Sequence, residues 1–202
     1  TTAYEAAQVS LARPKSKVLA IAAGKFGERW QDVFDVYAPH LDLKPMRIDH
    51  DWGTPAPLEQ IEKTLRENLD ISAVCVVHSE TSTATKSDVR AIASMTRDTD
   101  ALLIVDGITS VGAFECDMDD WGIDCLVTGS QKAMMLPPGL GFVAVSDKAW
   151  AAVDQIDPPC LYLDLNAYRK SLEKSDTPYT AAVSLVRGAN VGVKMINEVG
   201  IE

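Results

Sequence analysis

The sequence of 202 residues lacks the features that mark membrane, secreted and zinc-binding proteins. It contains no run near the roughly 18 apolar residues that a bilayer span requires. Residues 1–5 show neither the basic stretch nor the apolar run of a signal peptide. The four cysteines are scattered and form no CxxC pair. We therefore expect a cytoplasmic location and no metal site.

Positive charge is also scarce. Lysine and arginine number 19 against 29 aspartates and glutamates, which gives a net charge of −10. A field of this sign repels nucleic acid and anionic membranes, so we exclude both as main partners. A small anionic ligand stays compatible, because it responds to local donors more than to net charge. With 47% hydrophobic residues, the chain can bury a sizeable core.

Short apolar runs alternate with amphipathic helical patterns along most of the chain. Apolar runs typical of strands occupy residues 18–22, 73–77, 101–105, 125–128 and 141–145, and residues 44–48 read as a further short strand. Apolar residues at helical spacing lie between them, at residues 28–38, 58–69 and 87–97. The alternation predicts an α/β fold with a doubly wound, mostly parallel sheet, whose last strand can be antiparallel. No G-x-G-x-x-G follows a strand, which argues against a nicotinamide-binding domain.

Polar or small residues follow four of the predicted strands, at residues 24–27, 78–83, 106–110 and 129–132. Ligands of such sheets bind at the carboxyl ends of the strands, so we expect a site there. Asp106 ends a buried strand, where a carboxylate needs a cation or several donors. Lys132 follows one strand later, and the apolar residues after it predict partial burial of its amine. This pair suits pyridoxal phosphate, although its spacing fits equally a turn-forming aspartate and a solvated lysine.

Three segments carry a closer resemblance. They read His-Ser-Glu-Thr-Ser-Thr at residues 78–83, Val-Asp-Gly-Ile-Thr-Ser-Val-Gly at residues 105–112, and Trp-Gly-Ile-Asp-Cys-Leu-Val-Thr-Gly-Ser-Gln-Lys-Ala at residues 121–133, with Pro-Pro-Gly-Leu at residues 137–140. Together with residues 177–185, they resemble the class V aminotransferases of the fold-type I pyridoxal phosphate enzymes. The resemblance is to the alanine–glyoxylate and serine–glyoxylate group, and it extends over nearly the whole chain.

The resemblance implies a role for each candidate residue. Lys132 would hold pyridoxal 5′-phosphate as a Schiff base and move the proton between the substrate Cα and the cofactor C4′. Asp106 would pair with the ring nitrogen, with Ile108 on one face of the ring and Phe26 on the other. The remaining implied contacts are Thr81 to the ring hydroxyl, Gln131 to the phosphate or a neighbouring group, Thr1 and Thr2 to the phosphate, and Thr180 to the phosphate of the partner subunit in a homodimer.

The sequence also departs from the family pattern. The glycines of the family's phosphate-binding turn do not precede Thr1, and Ala84 stands where the family has a glycine. No arginine here matches the one that binds the substrate carboxylate from the family's small C-terminal domain. We therefore expect residues 1–160 to be the cofactor-binding large domain without its N-terminal part. Residues 161–202 would be a connector and a long helix, ending near Gly200, that leads to an absent small domain.

The resemblance implies an aminotransferase that moves an amino group from a small amino acid, alanine or serine, to glyoxylate or another small 2-oxo acid. Two alternatives stay open. A lyase or cysteine desulfurase of the same fold would need a reactive cysteine on a mobile loop, whereas the cysteines here lie in or beside apolar runs. A degenerate, non-catalytic subunit would have no physical reason to keep both Asp106 and Lys132.

Overall fold

The computed structural model describes residues 2–201, which form a mixed α/β layer around a six-stranded sheet. The strands of these residues are β1 (Lys17–Ala22), β2 (Lys44–Asp49), β3 (Ile71–Val77), β4 (Ser79–Glu80), β5 (Thr85–Lys86), β6 (Leu102–Asp106), β7 (Cys125–Gly129) and β8 (Gly141–Val145). Strands β4 and β5 form a separate two-stranded sheet. The described helices are α1 (Thr2–Leu11), α2 (Lys25–Leu41), α3 (Leu58–Glu67), α4 (Val89–Thr96), α5 (Met118–Trp121), α6 (Asp147–Val153), α7 (Leu165–Leu172) and α8 (Val183–Val199).

The main sheet has the strand order β2-β1-β3-β6-β7-β8. Its first five strands are parallel, and β8 pairs antiparallel with β7. Side chains of a strand alternate between the two faces of the sheet, so Val18 and Ala20 enter one core while Leu19 and Ile21 enter the other. Both faces are therefore buried, which confirms the predicted doubly wound, mostly parallel sheet and its antiparallel last strand.

The apolar pattern does not predict α1, α5, α6 or the small β4–β5 hairpin. Helix α1 is rich in alanine and buried nearly all round, so it lacks the polar face that marks an amphipathic helix. Helix α6 has only seven residues, and its best signal is the cap at Ser146, whose side chain accepts a hydrogen bond from the Ala149 amide. These elements are too short or too uniformly apolar for periodicity to reveal them.

Helix α8 ends where the sequence predicts, at Gly200, whose φ of 84° lies in the left-handed region that favours glycine. Much of its apolar surface is solvent-exposed. Side chains more than half exposed are Val183, Val186, Val191, Met195 and Val199. The division of the chain after residue 160 stays a prediction. No helix within residues 2–201 has the length and apolar content needed to cross a bilayer.

Candidate active site

The four polar clusters meet at the carboxyl ends of β1, β3, β6 and β7, which are neighbours in the sheet. Hydrogen bonds join the loops that follow these strands. The Thr109 hydroxyl donates to the Ser79 carbonyl at 2.6 Å, and the Lys25 amide donates to the Ser82 hydroxyl at 2.9 Å. The loops after β1, β3 and β6 thus form one connected surface, as expected for a ligand site in a parallel sheet.

Glu80 fastens the loop after β3 to the start of α2. Its side chain is buried, and Oε2 accepts hydrogen bonds from the amides of Phe26 at 3.1 Å and Gly27 at 2.9 Å. Its Oε1 accepts from the Ser82 amide at 3.1 Å and from the Ser82 hydroxyl at 2.6 Å. A carboxylate at a helix N-terminus is favoured by the unpaired amides and the helix dipole. Glu80 therefore fixes the backbone that carries Phe26.

Gly27 is required for this arrangement. A Cβ at Gly27 would lie 2.9 Å from the Ala22 Cα and from the Ile21 carbonyl oxygen. Both atoms belong to the backbone of β1, which cannot move aside without disturbing the sheet. The missing side chain allows the first turn of α2, which contains Phe26, to approach the carboxyl end of β1 closely.

Asp106 is the last residue of β6 and is 4% exposed. Its Oδ1 accepts a hydrogen bond from the Ile108 amide at 2.7 Å, and its Oδ2 accepts one from the Tyr4 hydroxyl at 2.5 Å. Burial raises the pKa of Asp106 to about 6, and the two hydrogen bonds oppose that rise. None of the ion pairs among residues 2–201 includes this carboxylate. It is therefore a buried acid that a cation placed beside it would stabilise.

Phe26 lies in the first turn of α2, which follows β1, and Ile108 lies two residues after Asp106, beyond the end of β6. Both side chains are half-buried and pack against the same core cluster. The Phe26 carbonyl oxygen lies 3.3 Å from the Tyr4 hydroxyl, which also contacts Asp106. The structure thus brings Phe26, Ile108 and Asp106 together at one place.

Lys132 lies in the turn that follows β7, and its side chain is exposed. The expectation of partial burial is therefore wrong, because the neighbouring Met134 takes the buried position of that turn instead. Ser130 holds the turn in place. Its hydroxyl donates to the Pro137 carbonyl at 2.7 Å and accepts from the Leu140 amide at 3.2 Å.

Helix α8 lies against the same turn and its continuation. A Cβ at Gly139 would lie 2.6 Å from Leu185 Cδ1, and a Cβ at Gly192 would lie 2.8 Å from Leu136 Cδ2. The Gln131 side chain is exposed and folds back toward Gly129, where a Cβ would lie 3.3 Å from Gln131 Oε1. The backbone of residues 130–140 is thus held by the hydrogen bonds of Ser130 and by packing against α8.

The candidate threonines are less uniformly placed. Thr81 is exposed in the turn between β4 and β5, beside Glu80 and Ser82, and therefore belongs to the connected surface. Thr2 is exposed at the start of α1, two residues before Tyr4. Thr180 is exposed in the segment between α7 and α8, and no hydrogen bond found within residues 2–201 joins it to the other candidates. Thr1 lies outside the described residues.

His78 and the cysteines carry little sign of reactivity. His78 is 1% exposed, with its ring edge-on to Trp121 at 5.8 Å, and burial lowers its pKa to about 4. Cys75 and Cys125 are fully buried in β3 and β7, and burial raises the pKa of both thiols. His78 is therefore neutral at pH 7, and these two thiols stay protonated.

The sequence of the whole chain matches a known family. The family model described as aminotransferase class-V matches residues 1–202. The chain belongs to the class V aminotransferases. Enzymes of this family use pyridoxal phosphate, and the matched range includes every candidate residue named above.

Individual relatives of this class V aminotransferase have different names. The chain is 39% identical over 205 residues to the soluble hydrogenase 42 kDa subunit of Anabaena cylindrica and 35% identical over 206 residues to the L-aspartate–glyoxylate aminotransferase of Paracoccus denitrificans. Each alignment covers 100% of this chain, and 52% and 51% of those proteins. The solved alanine–glyoxylate aminotransferase of Nostoc sp. superposes with a TM-score of 0.90 at 27% identity, covering 98% of this chain and 52% of that one. The chain thus spans about half the length of the relatives it matches.

The charge and polarity of the site residues in this class V aminotransferase match those that a pyridoxal phosphate ring requires. A protonated ring nitrogen is a cation, and Asp106 is a buried carboxylate without a cationic partner among residues 2–201. The half-buried side chains of Phe26 and Ile108 offer apolar contact beside it. The donor set therefore suits a flat, positively charged heterocycle better than a metal ion, and no group of three or more metal-ligating side chains occurs in the described chain.

Sequence reasoning missed two residues of this site, Tyr4 and Glu80. Glu80 is visible in the sequence only as one polar residue of the cluster at residues 78–83. Tyr4 is a single aromatic residue in an alanine-rich stretch, and nothing in the sequence pairs it with Asp106, 102 residues later. The one available signal is its hydroxyl, because a tyrosine buried among small residues needs a hydrogen-bond partner.

Proposed function

We propose that this protein is a pyridoxal phosphate-dependent aminotransferase. It would move an amino group from a small amino acid, alanine or serine, to glyoxylate or another small 2-oxo acid. The observation that carries the proposal is Asp106, a buried carboxylate at the carboxyl end of β6 that forms no ion pair among residues 2–201. The names of two relatives, which include glyoxylate as acceptor, support the acceptor class. Their donors are aspartate and alanine, so the donor rests on the sequence resemblance.

When bound, pyridoxal phosphate supplies a ring that withdraws electrons from the substrate Cα. Asp106 would keep the ring nitrogen protonated by pairing with it. Phe26 and Ile108 would hold the two faces of the ring, and Thr81 would contact the ring hydroxyl. The proposed contacts to the phosphate and its surroundings are Thr1, Thr2, Gln131 and, from a partner subunit, Thr180.

Lys132 is the proposed covalent attachment point. Its amine would hold the cofactor aldehyde as a Schiff base until the substrate amine takes its place. Nζ would then carry the proton from the substrate Cα to the cofactor C4′. Exposure of Lys132 in the turn after β7 leaves its amine accessible to both molecules.

The assembly and location are proposed on the same footing. The protein would be a homodimer in the cytoplasm, with small amino acids and 2-oxo acids as its ligands and with neither nucleic acid nor membrane as a partner. A dimer would bring Thr180 of each subunit toward the partner's phosphate site, which the single chain does not do. Analytical ultracentrifugation of the cofactor-loaded protein tests this: a dimer is expected, and a cofactor-saturated monomer would contradict it.

The desulfurase alternative is weakened by the cysteines. Two are fully buried, and burial also raises the pKa of the half-buried thiols of Cys116, to about 11, and Cys160. A non-catalytic subunit is the second candidate, because the relative from Anabaena cylindrica is named as a subunit of a soluble hydrogenase. That candidate predicts no bound cofactor and no amino transfer.

The deciding experiment is an absorbance spectrum of the full-length protein with pyridoxal phosphate, followed by borohydride reduction and peptide mapping. We expect a visible band that bleaches on reduction, with the stable adduct on Lys132. The band should disappear in Lys132→Arg and persist in Lys25→Arg, which alters an exposed lysine at the same end of the sheet. No band, or an adduct on another lysine, would overturn the proposal and favour the non-catalytic subunit.

A further inference from the structure

Tyr4 is a fully buried tyrosine that the proposed chemistry does not use. It lies in the first turn of α1, with the small residues Ala3 and Ala7 on either side. Its hydroxyl lies 2.5 Å from Asp106 Oδ2 and 3.3 Å from the Phe26 carbonyl oxygen. The shorter contact is the stronger one, since a hydroxyl has one proton and charge-assisted hydrogen bonds are short. Tyr4 therefore donates to Asp106.

The ring of Tyr4 is held in place by its neighbours. It stacks on Trp30 with the ring centroids 3.7 Å apart and an interplanar angle of 18°. Trp30 is itself fully buried, and the Gln8 side chain donates to its carbonyl oxygen at 2.8 Å. The Tyr4 hydroxyl is thus fixed before any ligand binds, which is the arrangement that preorganises a hydrogen bond.

Tyr4 and the Ile108 amide together fix both oxygens of the Asp106 carboxylate. Each oxygen accepts one hydrogen bond, one from each side, so the carboxylate cannot rotate without losing one of them. On the basis of the proposed function, we propose that Tyr4 is a positioning residue, which orients the Asp106 carboxylate and keeps it ionised for the ring nitrogen of the cofactor. Tyr4 contacts the carboxylate and acts through it.

The charges around Asp106 agree with this role. The groups that face it are Tyr4 on α1 and the Glu80 carboxylate on β4, while Arg29 on α2 faces Tyr4. Burial and the negative charge of Asp106 raise the pKa of Tyr4 well above its usual value, so Tyr4 stays protonated and keeps donating. Its hydrogen bond lowers the pKa of Asp106, against burial and the Glu80 charge, which raise it. The ionised acid is therefore favoured by Tyr4 and the Ile108 amide and disfavoured by burial and the Glu80 charge.

The test compares Tyr4→Phe with Tyr37→Phe in the full-length protein. Tyr4→Phe removes the hydroxyl and keeps the ring stacked on Trp30. Tyr37→Phe is the matched control, because it removes a hydroxyl that joins α2 to α1 through Glu5, at 2.7 Å, and does not contact Asp106. The first readout is the pH titration of the Asp106 carboxyl signal in the cofactor-free protein, assigned with Asp106→Asn. The second is the pH dependence of the visible band of the cofactor-loaded protein, with kcat measured alongside.

We expect Tyr4→Phe to raise the pKa of Asp106 above about 6, to shift the pH dependence of the visible band in the same direction, and to lower kcat about 10-fold, which is the usual weight of a hydrogen bond to a charged group. Tyr37→Phe should change none of these. An unchanged carboxyl titration in Tyr4→Phe, with a normal visible band, would overturn the role of Tyr4 and leave the proposed function intact. A changed titration without any visible band would uphold the contact and overturn the proposed function.

Discussion

Two buried aspartates lie at opposite ends of the same sheet and are satisfied to different degrees. Asp124, just before β7, is 6% exposed and accepts from the Leu103 amide at 2.9 Å, the Ser146 hydroxyl at 3.2 Å and the Lys148 amine at 3.4 Å. Asp106, at the end of β6, is 4% exposed and accepts from one amide and one hydroxyl. Only Asp124 has a cation beside it within residues 2–201.

The difference separates a carboxylate that supports the fold from one that supports chemistry. Asp124 ties β6, β7 and the start of α6 together, and its charge is balanced inside the chain. Asp106 has no such balance, and burial raises its pKa to about 6. Strain and incomplete satisfaction concentrate where proteins bind ligands. Substitution of Asp106 should therefore cost less stability than substitution of Asp124.

The largest expected effect is at the amino end. Asp124→Ala leaves the Lys148 amine and the Leu103 amide without their shared acceptor, so we expect a loss of about 4 kcal/mol in the free energy of unfolding. Urea denaturation of the cofactor-free protein measures it. Asp120→Ala, which removes an exposed acid paired with Arg90, is the control and should cost less than about 1 kcal/mol. Equal losses in the two variants would contradict the structural role of Asp124.

Substitution of Asp106, at the carboxyl end of the sheet, is expected to raise the free energy of unfolding rather than lower it. Folding raises the pKa of Asp106 from 3.8 to about 6, so its protonated form stabilises the fold below about pH 4 and this contribution is lost as the pH rises through 6. An asparagine escapes the loss, because its oxygen accepts from the Ile108 amide and its amide group donates to the Tyr4 oxygen. Asp106→Asn should therefore stabilise the cofactor-free protein by about 3 kcal/mol at pH 8 and leave it unchanged at pH 4. A destabilised variant at pH 8 would mean that Asp106 is satisfied as Asp124 is.

The third effect concerns Glu80, which joins the loop after β3 to the start of α2. Glu80→Gln replaces one acceptor oxygen by an amide group that faces donors, either the Phe26 and Gly27 amides or Ser82. We expect a loss of about 2 kcal/mol in stability, together with weaker cofactor binding as Phe26 loses its support. Equilibrium denaturation and cofactor titration measure the two effects. Glu28→Gln is the control. It removes an exposed ion pair on α2, the helix that contains Phe26 and Gly27, and should change neither stability nor cofactor binding.

The smallest effect sharpens the same contrast. Ala84, where related sequences are expected to have glycine, has a φ of 54°, in the left-handed region that disfavours a side chain. Ala84→Gly should relieve that strain and stabilise the protein by about 0.5 kcal/mol, after the entropy cost of glycine. Thermal unfolding detects it. Ala91→Gly, inside α4, is the control and should destabilise by about 1 kcal/mol.

The sheet was readable from the sequence because five of its strands are apolar runs flanked by helical periodicity. Residues 73–77 and 101–105, for example, fall within or one residue from β3 and β6. Helix α1 was not readable, since its alanine-rich surface is buried on nearly every side and has no periodic polar face. Tertiary packing, rather than local pattern, gives that helix its place.

The candidate site was readable only in part. Strand ends pointed to Asp106 and Lys132, and the family resemblance added Phe26 and Ile108. The contact between Tyr4 and Asp106 depends on how α1 packs against β6, β7 and β8, which no local pattern encodes. The exposure of Lys132 likewise follows from the turn at residues 130–134, where Met134 rather than Lys132 faces inward.

The most direct test of the contrast is to titrate the Asp106 carboxyl of the full-length protein with and without pyridoxal phosphate. Without the cofactor, a pKa near the raised value of about 6 is expected. With the cofactor, the positive ring nitrogen should lower this pKa well below that value, as a cation beside a carboxylate does. A pKa of Asp106 that does not change when the cofactor binds would contradict the account, because Asp106 would then not be the partner of the ring.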